Sequence, residues 1–127
     1  MDESGSIDEN SFILMKSFLS QLVGRLDIDS GSTRVGLVTF SSNVGTTINL
    51  NAHTSAASLQ SAISSLGQAR LGTNTSAALA YVRTKMLTSA TGDRSNVSNV
   101  VVVLTDGQSY DPSATQVSIM SHGHTIM

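Results

Sequence analysis

Asn99-Val100-Val101-Val102-Val103-Leu104-Thr105, closed by Asp106-Gly107, is the stretch from which the architecture is read. A strand with one wet face alternates apolar and polar residues. This one does not alternate, and its β-branched run predicts a strand covered on both faces, as in the centre of a parallel sheet. Asp106-Gly107 then ends it in a turn.

Upstream of it, Arg34-Val35-Gly36-Leu37-Val38-Thr39-Phe40 reads as a second buried strand. The Ser41–Val44 turn leads from it into Gly45–Leu50, a short alternating edge strand. From Asn10 to Leu26, Phe12, Met15, Leu19, Leu22 and Leu26 recur at helical steps, with Phe18 and Val23 beside them. Asp8 or Asn10 can cap that helix. Thr54 can cap a second helix with Leu59, Ile63 and Leu66 buried, and a third runs from about Thr75 to Met86. Leu26–Thr33 and Leu87–Ser98 read as loops. Pro112 suits the start of a short helix, and His124–Met127 a strand just beginning. Strands alternating with amphipathic helices predict an α/β three-layer sandwich, its sheet mostly parallel and doubly wound with one antiparallel edge strand. Such sheets bind ligands at the carboxyl ends of their strands, where Asp106 lies.

At 127 residues the chain suits one domain. It is 39% apolar and 13% charged, with a formal net charge of −2 and no Lys/Arg cluster, which argues against a nucleic-acid partner. No apolar run approaches the ~20 residues that span a membrane, and no signal-peptide pattern follows Met1. Zero cysteines exclude disulfides, a thiol nucleophile and zinc–thiolate sites, and leave the compartment open.

Asp2-Glu3-Ser4-Gly5-Ser6 is an Asp-x-Ser-x-Ser cluster. In extended backbone, side chains at i, i+2 and i+4 point the same way, so Asp2, Ser4 and Ser6 converge while Glu3 points away. Gly72-Thr73-Asn74-Thr75 adds a hydroxyl-bearing turn ahead of a helix. Asp2, Ser4, Ser6, Thr73 and Asp106 together offer only oxygen donors, which suits a hard divalent cation. Hydroxyl ligands leave much of the ion's charge unneutralised, so it would attract an acidic oxygen from outside. Taken singly, each piece has a plainer reading: a capping turn for the first cluster, an N-cap for Thr73 or Thr75, a post-strand turn for Asp106. An EF-hand reading fails, because Ile7 and Ile13 stand where the loop's glycine and closing glutamate belong. Asp27-Ile28-Asp29 fails likewise, with Ser32 and Val38 there.

In this order and on this strand–helix pattern, the residues resemble the metal-ion-dependent adhesion site of the von Willebrand factor type A family, which includes the inserted domains of integrins. Ser4-Gly5-Ser6-Ile7, Phe12 through Phe18, Arg34 through Ser41 and Leu104-Thr105-Asp106-Gly107 are all similar to the family, and the resemblance covers essentially the whole chain. It implies Mg²⁺, or Mn²⁺ or Ca²⁺, held by Ser4, Ser6 and Thr73, with Asp2 and Asp106 coordinating directly or through water. It also implies an extracellular module of adhesion or matrix assembly. Its partners would be matrix or cell-surface proteins, collagen-like ones among them, that offer a Glu or Asp carboxylate. Two alternatives share the fold: matrix assembly that does not use the metal, and intracellular scaffolding.

Two departures stand out. Asp8 replaces a glycine usual in the family, adding a negative charge beside the site. The family's first strand, central between Arg34–Phe40 and Asn99–Thr105, precedes the claw, and here only Met1 does. Its absence, with the last strand and helix also missing, predicts that residues 1–127 form a single, incomplete domain, with Met1 the last residue of the lost strand. Buried unpaired backbone groups cost about 1–3 kcal/mol each, so a whole strand's worth exceeds a typical stability of ~5–15 kcal/mol.

A metal-dependent hydrolase is the remote alternative. The three turns hold no His or Lys, and the chain has neither a Gly-x-x-x-x-Gly-Lys nor a Gly-x-Ser-x-Gly motif, so no enzyme is expected. His122-Gly123-His124 looks like a chelating pair with no third ligand near it in sequence. Asn96-Val97-Ser98 is an N-glycosylation acceptor pattern, conditional on secretion. Asn74-Thr75-Ser76 also matches, but it abuts the site and is read as unmodified. Tyr110 is a candidate for the site rim or a plain surface tyrosine.

Overall fold

Asp8 starts the first helix. Its backbone is extended and its carboxylate accepts the Ser11 N–H, capping α1 (Glu9–Gly24). The computed structural model describes residues 1–107 and 125–126. Phe12 and Val23 are buried along α1, whereas Phe18, set beside the inner stripe by the sequence, is half exposed. The second helix, α2 (Ala56–Ser64), is capped by Ser55 and not by Thr54, because Ser55 is the residue whose hydroxyl reaches Ser58 N–H. Asn74 caps α3 (Thr75–Tyr81) by accepting from Ala77 N–H. The helix continues as a π-wound segment over Val82–Met86, so the expected Thr75–Met86 run is present with altered winding.

β1 (Leu37–Phe40) and β2 (Val44–Ile48) form the expected antiparallel hairpin, pairing Leu37 with Ile48 and Phe40 with Val44. β3 (Val100–Val101) and β4 (Thr125–Ile126) pair in parallel. Met1–Glu3 joins the two pairs. Asp2 bridges Phe40 in parallel, Glu3 N–H donates to Phe40 O at 2.8 Å, and Asp2 N–H donates to Leu104 O at 2.8 Å. These three residues thus form a short extended segment that lies between Phe40 and Leu104.

Side chains alternate across β1. Leu37 packs with the cluster formed by α1 and α2, including Phe12, Val23, Leu59 and Ile63. Val38 and Phe40 pack with Ala78 and Met86 on the other side. Two clusters on opposite faces of one strand are the signature of a three-layer sandwich.

The Val100–Leu104 run departs from expectation. Only Val100 and Val101 are in a ladder, and Val100 and Val102 are 57% and 40% exposed. The cause is a cavity of about 560 Å³ between the two strand pairs, flanked by Val35–Val38 and Val100–Val103. Among the described residues, the other edge of the run is bonded to neighbouring backbone only where Asp2 N–H meets Leu104 O. Tyr110, Pro112 and the His122–His124 pair lie outside the described residues.

Candidate metal centre

The claw is held at both carboxylate oxygens of Asp2. Ser4 N–H donates to Oδ1 at 2.9 Å, and the Thr105 hydroxyl donates to Oδ2 at 2.7 Å. Asp2 is fully buried. Ser4 and Ser6 point the same way, as the i, i+2 rule predicts, with their hydroxyl oxygens 3.0 Å apart. Glu3 points away and is buried, its carboxylate accepting from the Thr39 hydroxyl at 3.1 Å. Gly45 makes this possible: a Cβ there would sit on the Glu3 carboxylate.

Backbone contacts bring the second turn to the first. Gly5 N–H donates to Leu71 O at 2.7 Å, and Arg70 N–H donates to Glu3 O at 2.9 Å. A Cβ on Gly5 would lie 2.9 Å from Arg70 O, so only glycine permits this approach. Arg70 itself adopts a positive φ of 57°, a conformation that non-glycine residues rarely hold without support. Thr73 is buried and lies between two anchors: Gly72 N–H on Ser42 Oγ at 2.9 Å and Asn74 N–H on Ser41 O at 2.7 Å. Because Asn74 caps α3, the Thr73 side chain is not the cap.

Thr105 brings in the third turn. Its oxygen accepts from Gly107 N–H at 3.1 Å while its proton goes to Asp2, which orients the turn carrying the exposed Asp106. The five residues singled out by sequence therefore lie on three turns, with the claw bonded to each of the other two.

The donor set is oxygen throughout. Among the described residues no group of three or more His, Cys, Asp and Glu side chains could hold a metal, so any ion here would depend on hydroxyls. The paired Ser4 and Ser6 hydroxyls fit a hard cation. Asp2, with both oxygens already hydrogen-bonded, fits the role of an outer acceptor that orients ligands and bound water. Beside it, burial pushes the Met1 ammonium down to about 6, with the Asp2 and Glu3 carboxylates pulling the other way. Asp8, exposed at the α1 cap, is held below the usual carboxylate range by the Ser11 hydroxyl and N–H.

Sequence reasoning missed Thr105, Arg70 and the Ser41–Ser42 pair. A hydroxyl immediately before Asp106 was a visible signal for Thr105. No local pattern marks the others, whose roles come from backbone contacts made across the fold. Asn96 is exposed in a turn, while Asn74 Oδ1 accepts from Ala77 N–H and the Ser76 hydroxyl.

The von Willebrand factor type A domain pattern matches residues 1–126. This chain belongs to that family. Matrilin-1 of Mus musculus is 40% identical over 114 residues, 87% of this chain and 23% of the relative. The von Willebrand factor A domain-containing protein 1 of Bos taurus is 35% identical over 112 residues, 88% of this chain and 27% of the relative. The chain thus spans about a quarter of the length of these relatives. Among solved structures, proximal thread matrix protein 1 from the mussel byssus superposes with a TM-score of 0.88 at 24% identity, over 100% of this chain and 34% of that one. A structure of that mussel protein has zinc in its MIDAS motif. The fold class expected from sequence holds. So does the extracellular location, since the matrilin and vitrin relatives are extracellular-matrix proteins. No helix among the described residues is long and apolar enough to cross a membrane.

Proposed function

We propose that residues 1–127 are a single domain that binds a partner protein through a divalent cation, in adhesion or assembly of extracellular matrix. Ser4, Ser6 and Thr73 would hold Mg²⁺, with Mn²⁺ or Ca²⁺ as substitutes, and Asp2 and Asp106 would act directly or through water. The bound ion would supply a Lewis-acidic position for a Glu or Asp carboxylate of the partner, collagen-like matrix proteins included. One observation carries this reading: Thr105 bonds Asp2 at 2.7 Å and so joins the claw to the turn that bears Asp106. The oxygen-only donors and the kinship with matrilins support it, as they support binding over catalysis.

The test is titration calorimetry with Mg²⁺ and Mn²⁺, followed by binding to immobilised collagen with and without EDTA. Asp106→Ala should abolish both cation and collagen binding while circular dichroism stays unchanged. Collagen binding that survives EDTA and Asp106→Ala would favour metal-independent assembly. Asn96, exposed in its turn, is proposed as a glycosylation site in secreted protein, readable as a mass shift removed by amidase.

A further inference from the structure

The turn that carries Ser6 is tied down by a side chain that belongs to none of the three site turns. Ser4 and Ile7 bracket it, and the bond that closes it, from Ile7 N–H to Ser4 O, is long at 3.3 Å. Ile7 is buried, whereas Gly5 and Ser6 are exposed. That closing bond alone is a weak means of keeping the Ser6 hydroxyl 3.0 Å from the Ser4 hydroxyl.

Gln68 supplies the rest. Its side-chain amide nitrogen donates to Ile7 O at 2.7 Å and to Ser4 O at 3.1 Å, so one group clamps the carbonyls at both ends of the turn. Both acceptors are carbonyl oxygens, which only the NH₂ end of the amide can face, and its two protons are thereby used. The glutamine is itself anchored on each side. Leu66, just before it, is buried in the α1–α2 cluster. Arg70, just after it, donates its N–H to Glu3 O at 2.9 Å. The half-buried Gln68 side chain thus links the core to the claw.

We propose that Gln68 is a positioning residue for the cation site: it fixes the Ser4–Ile7 turn so that the Ser6 hydroxyl stands beside that of Ser4 before an ion arrives. This role rests on the cation reading of the site. Gln68 acts through Ser6 and is not itself a ligand. Preset ligands spare the ion the cost of ordering an exposed turn, so the clamp raises affinity without touching the metal.

The test is Mg²⁺ calorimetry on Gln68→Met, which keeps the side chain's length and removes both donors. Mg²⁺ affinity should fall about tenfold, a usual loss when an orienting partner is removed. Hydrogen exchange should quicken at the Ile7 amide and stay unchanged in α2. Gln60→Met is the control. Gln60 makes a like bond to Ser20 O at 2.8 Å between α2 and α1, so that variant should lose stability and keep its Mg²⁺ affinity. In a Ser6→Ala background, Gln68→Met should cost no further affinity, because the hydroxyl it positions is gone. Wild-type affinity in Gln68→Met, an equal loss in Gln60→Met, or additive losses with Ser6→Ala would each overturn the positioning role and leave the cation reading intact. A Gln68→Met chain without the folded circular dichroism spectrum overturns it too, since Gln68 would then serve the fold as a whole. A wild-type chain that binds neither Mg²⁺ nor Mn²⁺ overturns the cation reading itself, and this role with it.

Discussion

A single hydroxyl, Thr105 Oγ1, sits at the junction of the candidate site. It donates to the buried Asp2 carboxylate and accepts from Gly107 N–H. Replacing it with valine keeps the shape and removes both bonds. A buried carboxylate that loses a donor costs about 1–3 kcal/mol, and loss of an orienting partner commonly lowers metal affinity by about 10–100-fold. Thr105→Val should show both effects in urea melts and Mg²⁺ calorimetry, and Thr105→Ser should restore most of each. A stability loss with unchanged Mg²⁺ affinity would mean that Thr105 serves the fold alone. Gly5 makes a second residue-scale case. A methyl there meets backbone, Arg70 O at 2.9 Å, and backbone cannot swing aside. Gly5→Ala should cost about 1–3 kcal/mol, an ordinary figure for overpacking, and should separate the claw from the Thr73 turn. An unchanged urea midpoint would show that the turns part without cost. The oxygen ligands were legible as a spaced pattern because strand alternation is local. Thr39, Gly45 and Arg70 were not, because each is defined by what lies across the fold.

Among the elements, α1 shows how Asp8 is used. The family's usual glycine there could cap a helix only through its backbone freedom, whereas Asp8 accepts from Ser11 N–H at 3.0 Å and from the Ser11 hydroxyl at 2.7 Å. Its added charge is thus absorbed by the helix N-terminus. The folded carboxyl lies below its ordinary value near 3.8, so its contribution is complete above that pH and fades as pH falls through the lower folded value. Asp8→Ala should lower Tm at pH 7, and Asp8→Asn, also a capping residue, should lose less. The gap between wild type and Asp8→Ala should narrow below pH 3.8, and a constant gap down to pH 2 would deny the carboxylate this role. Helix positions were readable from periodicity, yet two caps shifted by one residue, to Ser55 and Asn74. Ser, Thr and Asn all cap well, and only the backbone angle at the helix entry chooses among neighbours. For α3 that shift matters, since it leaves the Thr73 hydroxyl to the site.

At the scale of the whole molecule, stability is concentrated on one side of the sheet. The larger cluster, built from α1, α2 and the inner face of β1, buries Phe12, Val23, Leu59 and Ile63 to 4% exposure or less. β3 lies beyond the cavity, with Val100 57% exposed. A continuous apolar run was a sound sign of a central strand, since nothing else explains four adjacent valines. What local sequence could not convey is whether a neighbour lies on each side of it. The two regions should answer truncation differently. Leu59→Ala removes a side chain 1% exposed and should cost about 2–5 kcal/mol, whereas Val100→Ala deletes methyls already facing open space and should cost under about 1 kcal/mol. Native-state hydrogen exchange should agree, with α2 amides opening only on global unfolding and β3 amides opening at lower free energy. Urea melts of both variants check the first claim. Equal losses at Leu59 and Val100 would show that β3 is packed as tightly in solution as the α1–α2 side.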